Sequence, residues 1–187
     1  MKRHSLLVSV CAGLMLLAVI ALFTLSPRER DHLQAIDQTL DAFHQAAADA
    51  HLETYFGLLT DDARFLGTDA AERWSKAEFL AYAVERGAFD EAPAWIYTPT
   101  ARHIALGPAA RTAWFDEVLT HDRYGTLRGS GVLTRNTGTD WKIAQYNLTF
   151  LVPNDRAQAV VDAISPPSPP GRGVGGEGRP EATEPSQ

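Results

Sequence analysis

At 187 residues, 45% of them hydrophobic, the chain can bury one core of ordinary size, and its formal charge of -6 has the wrong sign for gripping nucleic acid. The only cysteine, Cys11, lies in an N-terminal apolar run, which leaves the globular part without a disulfide, a thiolate nucleophile or a cysteine metal site. A nucleic-acid partner and redox chemistry by the protein itself are thereby excluded.

Lys2 and Arg3 precede an uncharged run from Leu6 to Leu25. At about 1.5 Å per residue that run is long enough to cross a hydrocarbon core about 30 Å thick. Residues 1–27 therefore read as a membrane anchor or signal segment, with residues 6–25 in the membrane. The exit Phe23-Thr24-Leu25-Ser26-Pro27 offers no small-x-small cleavage site, which favours an uncleaved anchor over a secreted, cleaved form. The basic start keeps the N-terminus cytoplasmic and puts the following domain on the other side, the periplasm in a Gram-negative cell.

From Arg28 to Ala50 the apolar positions Leu33, Ile36, Leu40, Phe43, Ala47 and Ala50 recur at three-to-four spacing, so an amphipathic helix is predicted. His51 to Leu59 reads as a short second helix, Ala63 to Gly67 as a short strand, and Thr68-Asp69 as a turn. Ser75 followed by Glu78 is a capping-box pair that opens a third helix, stopped at Gly87. Phe89 to Pro93 is an acidic loop. The pattern then becomes extended over Trp95–Thr98, Arg102–Leu106 and Arg111–His121, with Gly107-Pro108 as a turn.

Arg128 to Asn136 and Asp140 to Thr149 form a hairpin around Thr137-Gly138-Thr139. With Asn136 opposite Asp140, Leu133 faces Ile143, Gly131 faces Gln145 and Gly129 faces Asn147, all on one face with Trp141. Glycines opposite amides would leave a hollow beside hydrogen-bonding groups; the competing reading is a pair of bulge glycines with wet amides at a rim. A closing helix is expected from Asn154 to Ile164. Beyond it, residues 165–187 are rich in Pro, Gly, Ser and Glu and read as a disordered tail. The domain is thus residues 28–164, of α+β class, with three N-terminal helices on one face of a strongly curved, mostly antiparallel sheet.

Phe65-Leu66-Gly67-Thr68-Asp69, Glu72-Arg73-Trp74, Ala113-Trp114-Phe115-Asp116-Glu117, Gly129-Ser130-Gly131-Val132-Leu133 and Trp141-Lys142-Ile143-Ala144-Gln145-Tyr146-Asn147-Leu148-Thr149 follow one another from Arg30 to Pro153. In that order they resemble the cone-shaped fold of nuclear transport factor 2 and ketosteroid isomerase, and within it the SnoaL-like branch. The resemblance implies a cone pocket and a homodimer paired through the sheet. It transfers no chemistry, because such domains include isomerases, cyclases, hydrolases and modules that only bind or assemble. Where many SnoaL-like members carry histidines after Trp-x-Ile, this chain offers Gln145 and Asn147, so acid-base work would fall to carboxylates.

The candidate acids are Asp69, in a turn at the cone mouth, and whichever of Asp116 and Glu117 faces inward. Asp69 reads equally as an ordinary turn or cap residue, and the strand carboxylate as half of an ion pair with Arg73 or Arg128. Trp74 and Trp114 line the pocket or fill the core; Gln145, Asn147, Gly129 and Gly131 complete the candidate ligand site. His103 and His121 lie on separate strands, and His44 and His51 are seven apart on helices, so no metal triad assembles and no cofactor is expected. The reading that follows is a membrane-tethered module for a small, largely apolar ligand. The alternatives are an isomerase-, cyclase- or hydrolase-type enzyme and a structural dimerisation module.

Overall fold

A computed structural model describes residues 26–90, 93–138 and 140–165. The apolar run at residues 6–25 and nearly all of the Pro/Gly-rich tail lie outside the described residues. Among those that are described, no helix is long and apolar enough to cross a membrane.

Helix α1 spans Pro27–Ala48. Ser26 opens it: its hydroxyl accepts the Glu29 amide at 3.2 Å while the Glu29 carboxylate accepts the Ser26 amide at 2.7 Å, and Pro27 occupies the first helical position. Helix α2 is Leu52–Gly57 and strand β1 Leu59–Leu66, longer at its start than the pattern suggested. A three-residue strand, β2 (Arg73–Ser75), precedes helix α3 (Lys76–Glu85), which carries the expected Ser75/Glu78 capping box and ends before Gly87 in the left-handed region. Strands β3 (Thr98–Leu106), β4 (Thr112–His121), β5 (Gly125–Arg135) and β6 (Trp141–Phe150) complete the sheet, in the order β2-β1-β6-β5-β4-β3. Its pairings are antiparallel except β1 with β6, which run parallel.

Among the described residues, those up to Leu151 and those from Val152 to Ser165 fall into separate units. The second holds a 3-10 turn, Asn154–Arg156, and helix α4, Ala157–Ile164, with Val160, Val161 and Ile164 on its exposed surface.

Within the first unit, Ile36, Leu40, Phe43 and Ala47 of α1 pack with Phe56, Phe79, Leu119, Leu127, Leu133, Trp141 and Ile143 in one continuous buried cluster. Each of the Ile, Leu and Phe side chains among them contributes about 1.5–3 kcal/mol by leaving water. At one end of the sheet Trp141, Leu133 and Ile143 are buried together.

The hairpin register departs from expectation at one residue. Leu133 does pair with Ile143, but Val132 then pairs with Gln145, so Ala144 is an extra residue and β6 bulges there. Beyond the bulge the parity of β6 reverses. Gly131 lies across from Tyr146 and Gly129 from Leu148, while Gln145 and Asn147 turn to the outer face. The expectation that these two amides line the concavity is therefore corrected: Gln145 is exposed, and Asn147 donates to Thr149 Oγ1, at 3.1 Å. Space beside the glycines is also taken. A Cβ on Gly131 would run into the Gln145 carbonyl and the Phe115 ring, and one on Gly129 into the Tyr146 hydroxyl.

Candidate functional site

Strand β4 alternates cleanly. Ala113, Phe115, Glu117 and Leu119 are buried on the concave side, and Trp114, Asp116 and Thr120 point outward. Glu117 is therefore the inward carboxylate, and it is 0% exposed. A lone buried anion costs several kcal/mol, so it persists only with partners. It has three. His44 Nε2 lies 2.7 Å from Oε1, the Tyr146 hydroxyl donates to Oε1 at 2.9 Å, and Arg102 Nε donates to Oε2 at 2.8 Å.

Each partner is delivered by a regular element. His44 follows Leu40 by four residues and so shares the buried face of α1. Arg102 sits directly across from Glu117 on β3, and its Nη1 reaches back to Asp37 Oδ1 at 2.6 Å and Asp41 Oδ1 at 2.8 Å on α1. Tyr146 is turned inward by the bulge, into room left by Gly129, which pairs with Glu117 across β5. Burial pushes the Glu117 carboxyl up, but the hydrogen bonds and charges of His44 and Arg102 outweigh it and hold the group below the ordinary carboxylate range. Burial, then the Glu117 charge, raises Tyr146 well above a normal phenol, which keeps it a donor.

In front of this cluster opens a cavity of about 410 Å³. His44 and Tyr146 lie at its floor, Phe65, Phe79 and Trp74 form one wall, and Tyr97, His121, Tyr124 and Phe150 stand toward the mouth. The walls are stacked rings: Phe65 lies 4.0 Å from Phe79, and Trp74 4.5 Å from Tyr82, centroid to centroid. Among the described residues the second ring nitrogen of His44, Nδ1, has no hydrogen-bond partner, and the ring belongs to the cavity lining. An imidazole held through Nε2 by a buried carboxylate, with its ring in the cavity lining, can orient a polar ligand group or exchange a proton with it.

The sequence-derived site residues divide accordingly. Trp74 is in the cavity wall. Glu117 lies behind the cavity with its oxygens occupied, so it positions His44 and Tyr146 and does not reach a ligand itself. Asp69 is an exposed turn residue outside the cavity lining, and its Oδ1 accepts the Ala71 amide at 2.8 Å. Asp116 faces outward between His103 and Ser130, and Trp114 stands 52% exposed on the same outer face. Gly129 and Gly131 make room for side chains and the bulge, not for a ligand. Although Gln145 and Asn147 stand where many relatives carry histidines, two imidazoles from elsewhere, His44 and His121, line the cavity. His44, Arg102 and Tyr146 were missed. For His44 the signal was present, as a polar residue within the Ile36, Leu40, Ala47 series; for Tyr146 it was hidden by the bulge. Among the described residues no group of three or more His, Cys, Asp or Glu side chains is placed to hold a metal ion.

A six-stranded curved sheet with helices on one face, closing around an aromatic cavity, defines an α+β cone of the NTF2-like kind. The chain belongs to the SnoaL-like domain family, whose profile matches residues 36–153. Solved structures share the fold at low identity. An NTF2-like protein from Cytophaga hutchinsonii is 16% identical over 68% of this chain and 100% of its own, with a TM-score of 0.51. A protein of unknown function with a cystatin-like fold from Nostoc punctiforme is 13% identical over 68% and 94%, with a TM-score of 0.52. A protein from Streptomyces avermitilis, provisionally named a dehydratase of the NTF2-like family, is 16% identical over 64% and 96%, also at 0.52. No curated protein sequence matches the chain.

Proposed function

We propose that the domain is a tethered binding module that holds one small, flat, largely apolar ligand in its cone. The observation that carries this is the cavity of about 410 Å³, walled by stacked aromatic rings and floored by a single oriented imidazole. Its volume suits a molecule of one or two rings, and a concave site with aromatic walls and a limited set of polar groups is the usual form of a small-molecule site. Tethering rests on the uncharged run at residues 6–25, directly before the Ser26 cap of α1.

Native mass spectrometry of the full-length chain tests the binding reading. A ligand carried by the wild type should be lost from Leu148→Trp, which fills the cavity from β6; equal retention by the variant would refute it. Flotation of the full-length chain with membranes tests the tether.

A second reading is favoured by the 2.7 Å His44–Glu117 contact: the same site moves a proton on its ligand, as an isomerase or a lyase would. His44→Gln should then leave ligand retention intact while abolishing exchange of a ligand C–H with deuterated solvent. Exchange at the wild-type rate in that variant would exclude His44 from the chemistry.

A further inference from the structure

The polar groups at the mouth of the cavity are not evenly spread. His121 ends β4 and lies between two rings, 5.0 Å from Tyr97 and 4.7 Å from Tyr124. Its Nδ1 accepts two backbone N–H groups, from Arg123 at 3.0 Å and from Tyr124 at 3.3 Å. That commits Nδ1 as an acceptor and puts the ring proton on Nε2, so the imidazole presents a donor. Arg123 also lines the cavity, with its guanidinium 5.4 Å from the Tyr124 ring centre, and it makes no ion pair among the described residues. Tyr97 completes the ledge. Burial, with the nearby Tyr124 and Glu72, pushes its phenol up to about 12, so near neutral pH it too is a donor.

Three donors, one of them cationic, therefore belong to residues of the cavity lining that are linked through neighbouring rings, Tyr97 to His121 to Tyr124 and Arg123 to Tyr124. Glu72, the carboxylate among the residues lining the cavity, belongs to the turn between β1 and β2, where its Oε2 already accepts the Asp69 amide at 3.1 Å. Asp122 is exposed and outside the lining. A single cation beside two neutral donors, with one acid nearby, suits a monoanion and disfavours a phosphate dianion. We propose that Arg123, His121 and Tyr97 form a carboxylate subsite, so that the ligand is an aromatic or similarly flat monocarboxylic acid, bound with its apolar body inward toward His44. This rests on the binding reading above and adds the chemical class of the ligand.

The test is calorimetric titration of the full-length chain in lipid nanodiscs with 2-naphthoate and its neutral counterpart 2-naphthamide. Naphthoate should bind more tightly, and Arg123→Gln should weaken it about fivefold while leaving naphthamide nearly unchanged, as a partly exposed charge-assisted contact implies. Glu72→Gln, which removes a negative charge from the mouth, should tighten naphthoate. Equal affinity for both probes, or an equal loss for both in Arg123→Gln, overturns the carboxylate subsite while the cavity stands. Binding of neither probe removes the cavity reading and the subsite with it.

Discussion

Replacing Glu117 by Gln removes one charge and leaves the shape of the side chain, and the structure says what that should cost. Three donors converge on the carboxylate, two at Oε1 and one at Oε2. A carboxamide has one acceptor oxygen. Turned toward Arg102, it leaves its NH2 facing His44 Nε2 and the Tyr146 hydroxyl, both of which can become acceptors; turned the other way, it sets NH2 against Arg102 Nε–H, which cannot. The first arrangement wins, and a charge-assisted contact is traded for a neutral one while Arg102 keeps Asp37 and Asp41. With charge-assisted bonds at about 1.5–3 kcal/mol, and a buried pair costing about 3–5 kcal/mol when one partner is deleted outright, a loss of about 3 kcal/mol is expected. For a domain of this size that corresponds to a fall in Tm of roughly 10 °C. Urea unfolding should report the loss as a lower midpoint with an unchanged slope. Stability within about 0.5 kcal/mol of wild type, the range of a surface substitution, would mean that the carboxylate is not enclosed by these donors.

Gly129→Ala should destabilise by about 1–3 kcal/mol, because the added methyl meets the Tyr146 hydroxyl and Glu117. Combining it with Tyr146→Phe, which removes the obstructing oxygen, should recover part of that loss in thermal unfolding; strict additivity would refute the contact. The pH profile has a sign at each end. Glu117 titrates near 4.5 when unfolded and lower when folded, so its contribution is complete above about pH 4.5 and is lost as pH falls through the folded value. Tyr146 titrates near 10.0 when unfolded and well above that when folded, so its contribution is complete below about pH 10 and is lost as pH rises beyond it. Tm measured across pH should fall off on both sides, with Glu117→Gln flattening the acid limb and Tyr146→Phe the alkaline one; unchanged limbs in both variants would refute the assignment.

How much of this was legible depends on the distance over which each feature is encoded. The helices, the Ser75/Glu78 cap, the stop at Gly87 and the strands over Arg102–Leu106, Arg111–His121 and the final hairpin were readable because each is set by residues within a turn or two of one another. Period-two alternation also showed that only one of Asp116 and Glu117 could face inward, although not which. The same rule failed on β6. It assumes an unbroken ladder, and the one extra residue at Ala144 exchanged the faces of everything after it, putting Tyr146 and Leu148 inside and Gln145 and Asn147 outside. Nothing local to Ile143-Ala144-Gln145 announces that break, which arises where β6 must satisfy β5 on one side and the parallel strand β1 on the other.

By itself, then, the sequence determined the fold class, most of the helices and strands in their order, and the aromatic and apolar stock from which a cone is built; it missed the short strand Arg73–Ser75 and set a strand at Trp95–Thr98 that the structure does not form. Only the tertiary structure decided which polar groups share the floor of that cone. His44, Arg102, Glu117 and Tyr146 come from four different elements, and a buried carboxylate is tolerable only where all of its donors arrive together. That condition is a property of packing between distant segments, and no stretch of chain carries it alone.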